Sequence, residues 1–121
     1  VDTLLSNLKE SNEPKKLALP NTEGLAFVNL DEIIRCQADA NYTGIFLTSG
    51  KKILVARTLK DYEELLSEDN FCRVHHAHLI NLKHVREYIK GEGGVVLMSD
   101  GSRVEVSRRK KNEFLERLKS I

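Results

Sequence analysis

From residue 16 onward, the chain consists of short apolar runs separated by residues that form turns. Such runs, bounded by Gly, Asn, Asp, Ser and Pro, are typical of β-strands, and neighbouring runs joined by short turns are typical of hairpins. The three hairpins predicted in this way pair residues 17–19 with 25–28, 42–48 with 52–56, and 85–89 with 95–98. Residues 103–106 alternate between apolar and charged side chains, which is the period of a strand. This pattern constrains the chain to a mainly β fold.

Two segments have the periodicity of α-helices instead. In the first, Thr58 and Asp61 predict a capping box at the helix start. The apolar face predicted for this helix consists of Leu59, Tyr62, Leu65 and Leu66. The second helix is predicted to run from Arg108 to Lys119, with Ser107 as its N-cap. Its predicted buried stripe consists of Phe114, Leu115 and Leu118. The sequence thus predicts a mainly β domain with two supporting helices.

The charge of the chain is divided unevenly along its length. Its 121 residues are enough for one ordinary domain, and the formal net charge is only +1. Residues 1–70 carry 8 basic and 12 acidic side chains, a net charge of −4, whereas residues 71–121 carry 11 basic and 6 acidic ones, a net charge of +5. Such an asymmetry indicates an anionic partner. The alternative, which charge alone leaves open, is that the two surfaces neutralise each other after folding.

Residues 1–14 differ in composition from the rest of the chain. A short leucine stripe at positions 4, 5 and 8 precedes a polar run that ends at Pro14. This composition predicts a linker from a preceding domain, with the folded domain over residues 15–121. No apolar run approaches the roughly 20 residues of a membrane helix, and no signal peptide is visible. We therefore predict a cytoplasmic protein with no membrane partner.

The second predicted helix begins with a concentration of cations. These are Arg108, Arg109, Lys110 and Lys111. In the first turn of a helix, the dipole disfavours each exposed cation by about 0.3–1 kcal/mol. Free backbone N–H groups together with four cations would bind phosphate well, so this helix start is a candidate binding site. The alternative is a solvated basic stretch that tolerates a small penalty.

Three histidines cluster within residues 71–81. If this segment is extended, His76 and His78 share one face with Cys72, and His75 lies on the other. Zinc takes three or four protein ligands, and one face of this strand supplies only two histidines. We therefore predict no metal site, and expect one or more of these histidines, His75 in particular, to be buried and hydrogen-bonded.

The chain lacks the short motifs of the common enzyme classes. It has no Gly-rich phosphate loop, no nucleophile elbow and no His-Glu-x-x-His pattern. We predict that it is not an enzyme and uses no cofactor. Cys36 and Cys72 lack the spacing of a redox pair, which predicts buried free thiols, although the sequence leaves a disulfide open.

Three ordered segments resemble the LytTR DNA-binding domain family. The central segment reads Phe71-x-Arg73-x-His75-x-x-His78-Leu79-Ile80-Asn81. The upstream segment reads Gln37-Ala-Asp39-Ala-Asn41-Tyr42, and the downstream one reads Asp100-Gly101-x-x-Val104-x-Val106-Ser107-Arg108. The resemblance covers roughly residues 15–121. The central segment departs from the usual family pattern at His76, where Arg, Lys or Asn is common, and at Ala77, where Ser is common.

The resemblance implies both a fold and a set of contact residues. The implied fold is elongated, with short antiparallel β-strands in several small sheets and few helices. DNA would be bound by loops that insert side chains into successive major grooves. The base contacts implied are Asn41 or Tyr42, His76 and Arg108, and the phosphate contacts implied are Arg73, Arg109 and Lys111. His75 and Asn81 are expected to hold the loops in place.

Domains of this family usually follow a receiver domain in the response regulators of two-component systems. We therefore expect sequence-specific binding of double-stranded DNA by the output domain of a bacterial response regulator, which regulates transcription. A homodimer on direct repeats and a receiver domain outside this chain are also implied. The alternative function is that of a protein-interaction module, which would bind an acidic partner through the basic C-terminal half.

Overall fold

The computed structural model describes residues 15–119, so the predicted linker over residues 1–14 lies outside the described residues. The strands are β1 (Lys16–Asn21), β2 (Gly24–Asn29), β3 (Ile33–Asp39), β4 (Tyr42–Leu47), β5 (Lys52–Val55), β6 (Phe71–His75), β7 (His78–Asn81), β8 (Val85–Ile89), β9 (Val95–Met98) and β10 (Arg103–Glu105). The α-helices are α1 (Leu59–Leu65) and α2 (Arg108–Lys119), and single-turn 3₁₀-helices span Leu30–Glu32 and Leu82–His84. The prediction of a mainly β domain with two supporting helices is confirmed.

The strands form three small antiparallel sheets. One contains β1 and β2, one has the order β5-β4-β3-β7-β6, and one has the order β10-β9-β8. All three predicted hairpins are present, with Leu17 opposite Val28 in the first and Thr43 opposite Val55 in the second. Because a short turn joins the two strands of each hairpin, these two strands must run antiparallel.

The five-stranded sheet is covered on both faces. One core holds apolar residues of β1, the sheet and α1, including Ile33, Tyr62 and Phe71. The other core holds residues of the sheet, the three-stranded sheet and α2, including Ile34 and Phe114. Ile33 and Ile34 are adjacent in β3 yet lie in different cores, because successive side chains of a strand point to opposite faces. Both cores are therefore built on the central sheet.

The first helix follows its predicted start more closely than its predicted buried face. The Thr58 Oγ1 accepts a hydrogen bond from the backbone N–H of Asp61 at 3.2 Å, which makes Thr58 the N-cap. Leu59, Tyr62 and Leu66 are buried, but Leu65 is 53% exposed, so the prediction for Leu65 was wrong. At 100° per residue, positions 59, 62 and 66 form one stripe and position 65 lies on its flank.

The second helix has the predicted bounds, Arg108–Lys119. The Ser107 Oγ accepts a hydrogen bond from the backbone N–H of Lys110 at 3.3 Å, as expected of an N-cap. Phe114 is fully buried, and Leu115 and Leu118 pack against the same core. Within residues 15–119, neither helix is long and apolar enough to cross a membrane.

Residues 71–81 form a hairpin, not the single extended segment considered from the sequence. Strands β6 and β7 pair with His75 opposite His78, and the chain reverses at residues 76 and 77. The His75 Nδ1 accepts a hydrogen bond from the backbone N–H of Ala77 at 3.1 Å and so closes the turn. His76 is therefore exposed at the turn, whereas His78 is half-buried at the start of β7. The shared strand face of these two histidines was expected only for a single extended segment, and this condition is not met because the chain reverses between them.

Candidate nucleic-acid interface

Two turns that carry predicted contact residues lie at the same end of the five-stranded sheet. Gln37 of β3 is opposite His78 of β7, close to the end of one strand and the start of the other. One residue further on, the backbone N–H of Ala38 donates to the carbonyl oxygen of Ala77 at 2.9 Å. The turn between β3 and β4 and the turn between β6 and β7 therefore extend from the same end of the sheet.

The exposed residues of these turns include three predicted base contacts. Ala40 adopts a φ of 55°, in the left-handed region that turns the chain sharply. Asn41 and Tyr42 follow immediately, and both are exposed, as is His76 of the other turn. An amide, a phenol and an imidazole can each donate and accept hydrogen bonds, which is the chemistry needed to contact base edges.

The start of α2 is attached beside the β6–β7 turn. The backbone N–H of Ser107 donates to the carbonyl oxygen of Val74 at 2.8 Å, which fixes the helix start against β6. A cleft lies at this junction. The residues that line it are Glu63, Arg73, His76, Ser107, Arg109 and Lys110. The structure thus brings together three of the predicted contact residues, and the other four do not line this cleft.

The guanidinium of Arg73 is bonded within the protein. Its Nη1 lies 2.8 Å from the Glu63 Oε1, its Nε donates to the carbonyl oxygen of His75 at 2.9 Å, and its Nη2 donates to the carbonyl oxygen of His76. The side chain is only 18% exposed. Arg73 therefore fastens the β6–β7 turn to α1 through its forked, planar donors.

Arg108 occupies the first position of α2 and extends into solvent. Its Nη2 pairs with the Glu92 Oε2 in the turn between β8 and β9, and both side chains are more than 70% exposed. Two positions further along the helix, the Lys110 Nζ lies 3.9 Å from the Glu113 Oε2. The first turn of α2 contains no acidic residue of its own, and its four cations outnumber the two carboxylates that pair with them, so this end of the helix stays positive.

The acidic partners Glu63 and Glu92 were not predicted from the sequence. Each lies in a different element from the arginine that it pairs with, 10 and 16 residues away along the chain. No local spacing rule links such positions, since the ion pairs depend on how the helices and turns pack. Glu92 was visible only as one residue of a Gly-rich hairpin turn.

The histidines of the β6–β7 hairpin pack against one another. The ring centroids of His75 and His76 lie 4.3 Å apart, and those of His75 and His78 lie 5.2 Å apart. Burial lowers the pKa of His78 from 6.5 to about 4, with further lowering by the neighbouring charges of His75 and Arg35. Over residues 15–119, no group of three or more His, Cys, Asp or Glu side chains is placed to hold a metal ion.

Both cysteines are buried free thiols, as predicted. Cys36 lies in the core on the α1 side of the sheet, and Cys72 lies in the core on the α2 side. Burial raises the pKa of Cys36 to about 12 and also raises the pKa of Cys72. The two thiols therefore lie in different cores and form no disulfide, a possibility that the sequence left open.

Asn81 holds the base of the β6–β7 hairpin, as expected. Its buried side-chain Nδ2 donates to the carbonyl oxygens of Leu30 and Ile33, at 3.3 and 3.0 Å. Its Oδ1 accepts a hydrogen bond from the backbone N–H of Lys83 at 3.0 Å. One amide thus joins the end of β7 to the start of β3. The two turns described above lie at the opposite end of the same pair of strands.

The sequence matches the model of a known domain family. The family model described as the LytTr DNA-binding domain matches residues 23–119. The chain belongs to the LytTR DNA-binding domain family. The resemblance that three short segments indicated is therefore confirmed over most of the chain.

Relatives of this LytTR domain are regulatory proteins. It is 31% identical over 86 residues to the CO-responsive transcriptional regulator RcoM of Rhodospirillum rubrum, a match that covers 71% of this chain and 36% of the relative. It is 29% identical over 115 residues to the sensory transduction protein LytT of Bacillus cereus, which covers 88% of this chain and 44% of the relative. The chain thus spans less than half the length of these two relatives.

A solved structure has the same fold. It is a LytTr DNA-binding domain of a response regulator from Bacillus cereus, with a TM-score of 0.74 and 22% identity. The superposition covers 88% of this chain and 98% of the solved domain. The arrangement of three small sheets and two helices is therefore that of LytTR domains.

Proposed function

We propose that this LytTR domain binds double-stranded DNA sequence-specifically, as the output domain of a bacterial two-component response regulator that controls transcription. The observation that carries the proposal is the junction of the β6–β7 turn with the start of α2. There, His76 and Arg109 line one cleft, and Arg108 is exposed beside it on the first position of the helix. A loop and a positive helix end held together in this way suit contact with the DNA backbone and adjacent base edges.

The proposed base contacts are Asn41, Tyr42, His76 and Arg108. Arg108 is the strongest of these, because a guanidinium can bond O6 and N7 of guanine together, worth about 1–3 kcal/mol of discrimination. His76 can donate a hydrogen bond to a base or to a phosphate. Asn41 and Tyr42, in the β3–β4 turn, would contact bases at a second place along the DNA. The exposure of all four side chains supports this proposal.

The proposed phosphate contacts are Arg109 and Lys111, and we add Lys110 to them. Lys110 lines the cleft with Arg109, and neutralising phosphates with such cations produces salt-dependent affinity. Arg73 has a different role in this proposal. Since three of its nitrogens are already bonded within the protein, we assign it to holding the turn that presents His76 in place of a direct phosphate contact.

The proposal also covers the full-length protein to which this domain belongs. The two relatives are named as a transcriptional regulator and a sensory transduction protein, and both are more than twice the length that this chain matches. We propose that a receiver domain precedes this chain in the full-length protein, that two copies bind direct repeats, and that the protein acts in the cytoplasm without a membrane partner.

Selection of bound duplexes from a random library tests the proposal. We expect enrichment of a defined motif, and an affinity for the enriched duplex that falls as salt concentration rises. Failure to bind any duplex at low salt would contradict DNA binding and would favour the alternative of a protein-interaction module with an acidic partner. Binding without enrichment would contradict sequence specificity alone.

A further inference from the structure

The turn between β8 and β9 is fastened to the start of α2. The backbone N–H of Val106 donates to the carbonyl oxygen of Gly94 at 3.0 Å. The Tyr88 Oη donates to the carbonyl oxygen of Gly93, also at 3.0 Å, and the Tyr88 ring lies 5.9 Å from the ring of Phe114. The turn is therefore held both to the backbone that leads into α2 and to the buried face of that helix.

Two glycines allow the turn to approach this closely. A Cβ atom at Gly93 would lie 1.9 Å from the carbonyl oxygen of Val106, a distance that no side chain can occupy. Gly94 has a φ of +95°, and a Cβ atom there would lie 2.3 Å from the Tyr88 Oη. The preceding residue, Glu92, is thus carried to the first turn of α2 by a tightly packed turn.

The carboxylate of Glu92 meets the guanidinium of Arg108 at this point. Both side chains are largely exposed, so the ion pair contributes little to folding stability. It also places a negative charge at a surface that would otherwise attract phosphates. A carboxylate in that position repels phosphates and so lowers the affinity for any DNA sequence. Its presence there calls for a different function.

We propose that Glu92 is a specificity-determining residue, which positions the Arg108 guanidinium for a base edge and disfavours its use on phosphates. This inference rests on the proposed function. A guanidinium has five N–H donors, so a bond from one side of Nη2 to Glu92 leaves donors for O6 and N7 of guanine. The pair restrains a flexible side chain before binding, and the carboxylate repels the backbone of duplexes that lack the matching base.

Glu113 provides a matched control for the charge of Glu92. It is also exposed, it belongs to α2, and it lies 3.9 Å from a cation, Lys110, in the same first turns of the helix. Glu92→Ala and Glu113→Ala therefore each remove one exposed negative charge from the same region. Only the first removes a carboxylate that contacts Arg108.

The experiment measures the affinities of both variants for the duplex enriched by selection and for a scrambled duplex. For Glu92→Ala we expect about threefold tighter binding to scrambled DNA, no gain on the enriched duplex, and a preference reduced by about threefold to tenfold. For Glu113→Ala we expect both affinities to rise equally. In an Arg108→Ala background, Glu92→Ala should leave the preference unchanged, because there is no guanidinium left to position.

An unchanged preference in Glu92→Ala, or an equal loss of preference with and without Arg108, would overturn the inference. Circular dichroism and thermal unfolding of each variant establish that the fold is intact, as the exposure of Glu92 leads us to expect. The inference can fail alone: a wild-type domain that enriches a motif but keeps its preference without Glu92 contradicts only this inference. A wild-type domain with no preference contradicts the proposed function itself.

Discussion

The backbone N–H of Ser107 donates a hydrogen bond to the carbonyl oxygen of Val74 at 2.8 Å, and this bond joins the start of α2 to the end of β6. Residues on either side of the bond come from different parts of the sequence, yet they line one cleft. Since Val74 and Phe114 are both buried in the same core, the hairpin and the helix are positioned by packing as well as by this bond. The hairpin and the helix start therefore form one structural unit.

Arg108 and Lys111 are expected to differ in what they contribute to binding. Arg108→Ala should reduce the preference for the enriched duplex by about 1–3 kcal/mol, because it removes a bidentate base contact. Lys111→Ala should weaken binding to all duplexes about equally and lower the salt slope by about 1. Titrations at several salt concentrations measure both effects. Equal losses on enriched and scrambled DNA for Arg108→Ala would remove it from direct base contact.

Arg73 is expected to act through the turn that it holds. Arg73→Lys keeps the charge but carries its donors on one nitrogen, which cannot reach Glu63 and the carbonyl oxygens of His75 and His76 together. We expect the free energy of unfolding to fall by about 1–2 kcal/mol and the enriched duplex to bind more weakly. Arg86→Lys, at an exposed position of β8 outside the proposed contacts, is the matched control and should change neither quantity strongly. Similar behaviour of the two variants in urea unfolding and DNA titration would refute the distinction.

Asn81 is expected to be among the most sensitive positions for stability. Asn81→Ala removes the side-chain donor to the carbonyl oxygens of Leu30 and Ile33 and also removes the N-cap of the following 3₁₀-helix. Together these losses should cost about 2–4 kcal/mol of unfolding free energy. Chemical denaturation measures the change, with the exposed Asn112→Ala as control. A cost below about 0.5 kcal/mol, the size expected of an ordinary surface substitution, would contradict the assigned role.

His78 is expected to make the fold sensitive to mild acid. Its pKa is about 4 in the folded protein, against 6.5 when unperturbed. Between these two values the unfolded chain binds more protons than the folded chain, so stability should fall as pH drops from about 6.5 toward 4. Above pH 7 this contribution should be constant. Melting temperatures across this range, for wild type and His78→Asn, measure the effect, with the exposed His76→Gln as control. A pH dependence that survives in His78→Asn would assign it to other groups.

The sequence was sufficient for the elements whose signals are local. Turn residues and alternating apolar positions located the hairpins, and Ser107 with the apolar stripe fixed both ends of α2. The reversal at residues 76 and 77 was missed because it contains neither Gly nor Pro, and the His75 ring and Arg73 stabilise it instead. Leu65 was wrongly predicted to be buried, because a helix of only 7 residues has too few apolar positions to define the limits of its buried face.

The candidate site was predictable only in part. The cations at the start of α2 are contiguous in sequence, and the family resemblance supplied the residues in the turns. The ion pairs of Arg73 with Glu63 and of Arg108 with Glu92 were not predictable, because they depend on which turns the two cores bring together. These pairs changed the interpretation of Arg73 from a phosphate contact to a residue that holds a turn.

The most direct test of the account compares the dissociation constants of the wild-type domain for its enriched duplex and for a scrambled duplex at the same physiological salt concentration. We predict a preference for the enriched duplex of at least about 10³-fold, as is typical of specific DNA-binding proteins. We also predict that affinity for both duplexes decreases as salt increases. Equal affinities for the two duplexes, or no binding to either, would contradict sequence-specific DNA recognition by this surface.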